Sequence, residues 1–190
     1  MPKQPYQRIY LSPHLDDAAL SCGGRIYQER QAGLSVLVLN LMAGDPPPAA
    51  TEATFAAELH ARWELDSNPV QARRAEDKRA LAVLDAAGLY WELPDCIYRC
   101  HPATGQFLYQ TEEHLCGPVH PAELGLLENI SQRLAALPLA AGGRVYVPLA
   151  VGGHVDHRLV RQATEAWGAP GGELVYYEDY PYAEIPGAVA

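Results

Sequence analysis

The sequence has no apolar run long enough to span a lipid bilayer, and its first residues lack the basic and then apolar pattern of a signal peptide. Positive charge is also scarce, since 14 lysines and arginines face 23 aspartates and glutamates and leave a formal net charge of −9. Nucleic-acid backbones and anionic membrane surfaces attract basic proteins, so neither is an expected partner. These absences predict a soluble, cytoplasmic enzyme without membrane insertion.

Cysteine is uncommon, with four residues at Cys22, Cys96, Cys100 and Cys116. Without a secretory signal, free thiols are expected rather than disulfides. The last three cysteines lie among three histidines, which are His101, His114 and His120. These side chains would offer ligands for a second, structural metal ion. Their spacing matches no familiar zinc module, and buried cysteines often serve as small apolar side chains, so both interpretations stay open.

The chain has 190 residues and is 48% hydrophobic, which predicts one domain, residues 1–190, around a single core. Short apolar runs alternate with stretches of helical periodicity. The predicted strands are Arg8–Ser12, Ser35–Leu41, Glu92–Tyr98, Val145–Leu149 and Leu174–Glu178. The predicted helices are Ala18–Gln31, Glu52–Trp63, Val70–Ala87, Ala122–Leu137 and His157–Trp167. This alternation is typical of an α/β domain whose mostly parallel sheet has helices on both faces.

Two loops that follow predicted strands concentrate histidine and aspartate. Ser12–Asp17 has the sequence SPHLDD and ends the first strand, whereas Gly153–His157 has the sequence GHVDH and comes after the fourth. Ligands of α/β domains bind where the carboxyl ends of the strands meet. We therefore expect the two loops to form one site at that edge of the sheet.

Imidazole and carboxylate groups suit a catalytic zinc ion that has three protein ligands and one open position. His14, Asp17 and His157 would supply these ligands, and Fe²⁺ suits the same set. Asp16 would then face a metal-bound water and act as its general base, because zinc lowers the pKa of such a water to about 7. His154 and Asp156 would orient other groups or stabilise an oxyanion.

Each of these residues also has a simpler interpretation. An aspartate at a strand–helix junction, such as Asp16 or Asp17, is commonly a helix N-cap. A single histidine, such as His154 or His157, is commonly an ordinary hydrogen-bonded side chain. Capping preference does not account for two such clusters after two strands, and this favours the metal site.

The motifs are similar to those of the PIG-L/LmbE-like family of zinc-dependent N-acetylglucosaminyl deacetylases. SPHLDD is followed by Leu20–Gly24 (LSCGG), and a distant HVDH completes the pair. Arg73–Asp77 (RRAED) resembles the family's Arg-x-x-Glu helix, and Tyr176–Tyr182 (YYEDYPY) resembles its late strand and loop. The resemblance runs through most of the chain. It implies a Rossmann-like, three-layer fold and hydrolysis of the amide of an N-acetylated amino sugar.

By position, the resemblance assigns a role to each candidate residue. It implies that the zinc ligands are His14, Asp17 and His157. It also implies three catalytic residues: Asp16 would be the general base, His154 would polarise the carbonyl, and Asp156 would orient a neighbouring histidine. Arg73 resembles an arginine that binds sugar hydroxyls, although an ion pair with Glu76 or Asp77 is the alternative. Asp95 would hold a sugar hydroxyl or else cap a turn.

The sequence departs from the family pattern at Leu15, where proline is usual, and at Ala18, where glutamate is usual. Neither position is an expected ligand. The chain also ends soon after YYEDYPY, whereas family members generally continue. A shortened or missing C-terminal part is therefore an expectation, and it leaves the walls of the substrate cleft undefined.

The expected reaction is removal of an acetyl group from an N-acetylglucosamine-type glycoside or glycoconjugate, with a small-molecule amino sugar as substrate. One alternative is an amidase that acts on a larger acyl or thiol conjugate. Another is a sugar-binding or scaffold protein that keeps the fold without the activity. The acyl group and the native metal are left open, and a homo-oligomer is possible.

Overall fold

The computed structural model describes residues 4–47, 54–62 and 69–189. Five strands form one parallel sheet in the order β3-β2-β1-β4-β5. They are β1 (Tyr6–Ser12), β2 (Val36–Asn40), β3 (Ala87–Tyr90), β4 (Leu139–Pro148) and β5 (Glu173–Tyr177). This order is that of doubly wound α/β folds, so the predicted fold class is confirmed.

Helices cover both faces of the sheet. They are α1 (Asp17–Gln31), α2 (Thr54–Arg62), α3 (Pro69–Val83), α4 (Glu112–Leu115), α5 (Leu124–Leu134) and α6 (Val155–Trp167). Successive side chains of a strand point to opposite faces. Tyr10 and Val38 accordingly pack with α1 and α3, whereas Leu11 and Leu39 pack with α5 and α6. None of the described helices is long and apolar enough to cross a bilayer.

The predicted strand Glu92–Tyr98 is wrong, and the third strand lies earlier, at Ala87–Tyr90. The predicted helix Val70–Ala87 extends too far. In the structure the helix ends at Val83, because Asp85 takes a left-handed conformation with φ 54°. Both end residues of the predicted helix Glu52–Trp63 lie outside the described residues. The described part of this helix is α2.

A buried carboxylate links α1 to the centre of the sheet. Glu29 accepts hydrogen bonds from the hydroxyls of Tyr10 and Tyr146, both at 2.7 Å, and from Nε of Arg8 at 3.1 Å. The two tyrosine rings stack with centroids 4.1 Å apart. Hydrogen bonds to a charged acceptor are stronger than neutral ones, so this cluster fixes α1 against β1 and β4.

We expect Glu29→Gln to lower the free energy of unfolding by about 1.5–3 kcal/mol, because the buried hydroxyls lose a charged acceptor. Urea denaturation would measure this. Glu165→Gln is the matched control, since Glu165 accepts from a tyrosine hydroxyl and an arginine on the surface. An equal loss in the two variants would contradict the role of the buried cluster.

Candidate metal centre

The loop after β1 turns His14 towards the interior. The hydroxyl of Ser12 donates to the carbonyl of His14 at 2.7 Å and accepts the backbone N–H of Ala18 at 3.0 Å. Ser12 thereby supplies a hydrogen-bond acceptor at the start of α1. Asp16 occupies the N-cap position, but its side chain makes no capping hydrogen bond, so the capping interpretation of Asp16 is wrong.

The loop after β4 needs residues that tolerate positive φ. Gly152 and Gly153 have φ 82° and 78°, and a Cβ on Gly153 would lie 2.7 Å from Nη2 of Arg158. Glycine is the residue that takes such backbone conformations without strain. The turn places His154 at the N-cap of α6 and His157 in the first turn of that helix.

The two loops meet, as the sequence predicted, around one carboxylate oxygen. Oδ2 of Asp17 lies 3.3 Å from Nδ1 of His14 and 3.3 Å from Nε2 of His157. It also accepts the backbone N–H of His14 at 2.8 Å. The His154 ring stands beside them, with its centroid 4.8 Å from that of His14 and 5.4 Å from that of His157.

The other nitrogen of each predicted ligand histidine contacts a buried carboxylate. Nε2 of His14 lies 3.0 Å from Oδ2 of Asp156, and Nδ1 of His157 lies 2.6 Å from Oδ1 of Asp179. Both carboxylates are fully buried. Metal-ligating histidines almost always donate their second N–H to such a group, which fixes the ring and leaves one nitrogen for the metal.

Asp179 was not identified from the sequence as a site residue. Its other oxygen accepts the backbone N–H of Val151 at 2.9 Å, so it also holds the loop before α6. The available signal was its place in YYEDYPY, just after β5 at the carboxyl edge of the sheet.

The electrostatics of the cluster favour positive charge between the carboxylates. Burial opposes a charge on His157, but Asp17 and Asp179 raise the pKa of this imidazole to about 9. Burial likewise favours the neutral form of Asp17, but His157 and His14 hold the pKa of its carboxyl well below the usual range. A bound cation would supply the same positive charge.

His154 behaves differently from its neighbours. Burial, together with the nearby His14, lowers the pKa of its imidazole to about 4. Its Nδ1 accepts the backbone N–H of Asp156 at 3.2 Å. The neutral ring therefore carries its hydrogen on Nε2, which makes that atom a hydrogen-bond donor.

The two predicted substrate-binding residues both lie at this edge. Nη2 of Arg73 contacts Oδ1 of Asp16 at 3.2 Å, and the Asp16 side chain is 47% exposed. Asp95 accepts the N–H of Ile97 and caps a short 3₁₀ helix, Cys96–Tyr98, as the turn alternative proposed. Its other oxygen lies 3.6 Å from Nε2 of His14, so Asp95 also borders the cluster.

Arg99 is a second site residue that sequence reasoning missed. Its buried guanidinium donates to both oxygens of Glu123 and contacts Oδ1 of Asp156 at 2.6 Å. A third contact goes to the carbonyl of Pro94 at 3.2 Å. Arg99 therefore compensates two buried carboxylates, one of which contacts the predicted ligand His14.

The structural metal site suggested by the cysteine-rich segment does not form. Cys100 and Cys116 are exposed. Neither these cysteines nor His101, His114 and His120 belong to any of the potential metal-binding groups among the described residues. Cys96 alone lies near the site, in a group with His154 and Asp156.

The donor set at the meeting point of the two loops fits a divalent metal. The nitrogens of His14, His154 and His157 lie within 4.8 Å of one another. Asp17 adds a carboxylate oxygen between two of them. Nitrogen and oxygen donors in this number suit Zn²⁺ and also Fe²⁺.

Comparisons with known proteins agree with the resemblance described above. Two relatives described as 2'-N-acetylparomamine deacetylase, from Niallia circulans and Streptomyces fradiae, are each 31% identical over 92% of this chain. The chain spans 66% and 57% of their lengths. A solved structure described as the zinc inhibited form of a teicoplanin deacetylase has 29% identity and a TM-score of 0.82, over 96% of this chain and 71% of that one. The family model PIG-L, GlcNAc-PI de-N-acetylase, matches residues 9–167, and the chain therefore belongs to the PIG-L family.

Proposed function

We propose that this chain is a metal-dependent hydrolase that removes the acetyl group from an N-acetylated amino sugar. The observation that carries the proposal is that the side chains of His14 and His157 meet at the carboxylate of Asp17. The neighbouring residue, Asp16, has a carboxylate that is partly exposed to solvent. Membership of the PIG-L family and the deacetylase relatives support the same reaction.

His14, Asp17 and His157 would hold the metal, which we propose to be Zn²⁺ with Fe²⁺ as the alternative. When bound there, the metal would supply a Lewis acid that polarises the amide group. Asp156 and Asp179 would orient the two histidines through their second nitrogens. This use of buried carboxylates raises the basicity of ligating imidazoles.

Asp16 is the proposed general base. Its carboxylate would take a proton from the attacking water while the new carbon–oxygen bond forms, and would then return that proton to the amine nitrogen as the carbon–nitrogen bond breaks. The products are acetate and the free amino sugar. The contact from Arg73 orients the carboxylate, and the binding of a sugar hydroxyl by Arg73 stays a prediction.

His154 is the proposed donor to the carbonyl oxygen. Because its Nδ1 is already an acceptor, its Nε2–H is available for the negative charge that develops during attack. A positioned donor of this kind contributes about 3–4 kcal/mol to transition-state stabilisation in hydrolases. Its low pKa keeps the ring neutral at physiological pH.

The substrate class is tested by acetate release from a panel of three amides. We would offer an N-acetylglucosamine glycoside, an N-acetylated aminoglycoside, and the same glycoside with a longer acyl chain. Turnover of either acetylated sugar supports the proposal. Turnover of the long-chain amide alone would favour the amidase alternative, and metal binding without turnover of any amide would favour the sugar-binding or scaffold alternative.

Asp179→Asn is expected to lower metal affinity by about 10–100-fold, the usual effect of removing a carboxylate that orients a ligating histidine. A competition titration against a chromogenic zinc chelator would measure this. Asp85→Asn is a matched control, because Asp85 is an exposed partner of Arg30 at positive φ, where asparagine is well tolerated. Unchanged affinity in Asp179→Asn would contradict the proposed ligand set at His157.

A cytoplasmic location also stays a prediction. It is supported by the four cysteines, all of which are free, because disulfides are rare in reducing compartments.

A further inference from the structure

Cys96 is a chemically reactive group that the proposed mechanism does not use. It begins the 3₁₀ helix Cys96–Tyr98 and is fully buried. Its sulfur, one imidazole nitrogen of His154 and one carboxylate oxygen of Asp156 all lie within 4.8 Å of one another. None of these three is among the proposed ligands His14, Asp17 and His157, although His154 also stands beside His14 and His157, and Asp156 contacts His14. The group is therefore a second set of donors that adjoins the metal centre.

The chemistry of this group favours a borderline-soft cation. Thiolate, imidazole and carboxylate are the three ligand types that proteins use for zinc. Softer sulfur ligands disfavour Mg²⁺ and Ca²⁺, which prefer oxygen donors only. A cation bound here would convert the thiol to a thiolate and release its proton to solvent.

Asp156 can take part without giving up its present contacts. One oxygen contacts Arg99, and the other contacts Nε2 of His14 and the backbone N–H of Cys96. An ionised carboxylate has about four lone-pair sites, so one stays available for a cation. The sulfur of Cys96 now donates to Oδ1 of Asp95 at 3.3 Å, a weak hydrogen bond that thiol deprotonation would remove.

The surrounding charge can accommodate a second divalent ion. Six carboxylates are associated with the two donor sets. Asp17, Asp95, Asp156 and Asp179 each contact His14 or His157, Asp16 precedes Asp17 in the chain, and Glu123 shares Arg99 with Asp156. Two arginines, Arg73 and Arg99, compensate them. Four formal negative charges are left in excess, and one divalent cation balances only two of them.

We propose that Cys96, His154 and Asp156 form a second zinc site, and that zinc bound there inhibits the enzyme. We assign Nε2 of His154 as the ligating atom, because Nδ1 already accepts the backbone N–H of Asp156. Inhibition follows because a cation on Nε2 replaces the hydrogen that would be donated to the carbonyl oxygen of the substrate. This part of the inference rests on the proposed deacetylase function. The binding of a second ion by a thiolate does not depend on it.

The direct test is optical. Protein loaded with one equivalent of zinc would be titrated with Co²⁺, which gives a near-ultraviolet charge-transfer band when a thiolate binds it. The wild type is expected to develop this band. Cys96→Ala and Cys96→Ser are expected to lose it while they keep the first zinc ion. Cys22→Ala is the matched control, since Cys22 is also buried but belongs to no potential metal-binding group of the described residues, and it should behave as the wild type.

Activity provides the second arm of the test. Excess zinc is expected to inhibit acetate release by the wild type and Cys22→Ala, and this inhibition should be lost in Cys96→Ser. A band that persists in both Cys96 variants would assign the thiolate to exposed Cys100 or Cys116 and would overturn the site. Absence of the band in the wild type would also overturn the site. Lack of acetate release at one zinc per chain would contradict the proposed function, and the cobalt band would still decide the second site.

Discussion

Replacing Asp16 with asparagine is expected to lower kcat for deacetylation by about 10²–10⁴-fold, the usual contribution of a general base. Asparagine keeps the size of the side chain but cannot accept a proton from water. The side chain is 47% exposed and its described contact is with Arg73, so the fold should tolerate the change. Steady-state acetate release, with metal content measured on the same sample, would provide the result.

The measurement of metal content distinguishes a general base at Asp16 from a metal ligand at Asp16. Asp16→Asn is expected to bind as much metal as the wild type, because the proposed carboxylate ligand is Asp17 and not its neighbour. Asp17→Asn should lose metal and activity together. Asp85→Asn, which changes an exposed carboxylate far along the chain, should retain both. If Asp16→Asn lost its metal, Asp16 would be a ligand, and the assignment of base and ligand between the two aspartates would be wrong.

Arg99→Met is expected to lower the free energy of unfolding by about 3–5 kcal/mol, because it removes the guanidinium that compensates two buried carboxylates. Glu123 and Asp156 are 3% and 0% exposed, and both depend on this guanidinium. Methionine fills a similar apolar volume, so the loss would report mainly on the uncompensated charge. Urea denaturation should be carried out on metal-free protein, since a bound metal adds its own stabilisation.

The matched control for Arg99→Met is Arg62→Met. Arg62 pairs with Glu112 on the surface, where both side chains are more than half exposed, and such pairs contribute about 0–1 kcal/mol. The double variant Arg99→Met with Glu123→Gln should recover part of the loss, because it removes one of the stranded charges. A loss in Arg99→Met no larger than that in Arg62→Met would refute the account of this network.

The fold was predictable because its signals are local. Apolar runs of strand length, such as that around β2, alternate with helical stretches, and the order of these elements predicts a doubly wound sheet. The position of β3 in the sequence was not predictable in the same way. Helix-favouring residues continue past Val83, and the left-handed backbone of Asp85 that ends the helix left no clear pattern in the sequence.

The candidate site likewise contains residues that local sequence motifs predicted and residues that they did not. His14, Asp17, His154 and His157 lie in two short motifs, so residue type and position after a strand were sufficient to predict their convergence. Asp179 lies in the YYEDYPY segment after β5, which indicated its place at the edge of the sheet but not its contact with His157. Arg99 and Glu123 come from other parts of the chain and reach the site through tertiary packing. Their roles depend on which buried carboxylate contacts which partner, and no spacing in the sequence encodes those contacts. The same holds for Cys96, which the sequence grouped with Cys100 and Cys116.

The central claim is that a metal held by His14, Asp17 and His157 is required for N-deacetylation. The most direct test is to measure metal per chain by mass spectrometry and acetate release from an N-acetylated amino sugar on one sample, before chelation, after chelation and after stepwise return of Zn²⁺ or Fe²⁺. We predict that acetate release disappears with the metal and returns in proportion to it, up to one ion per chain. Full acetate release by the metal-free protein would contradict the account.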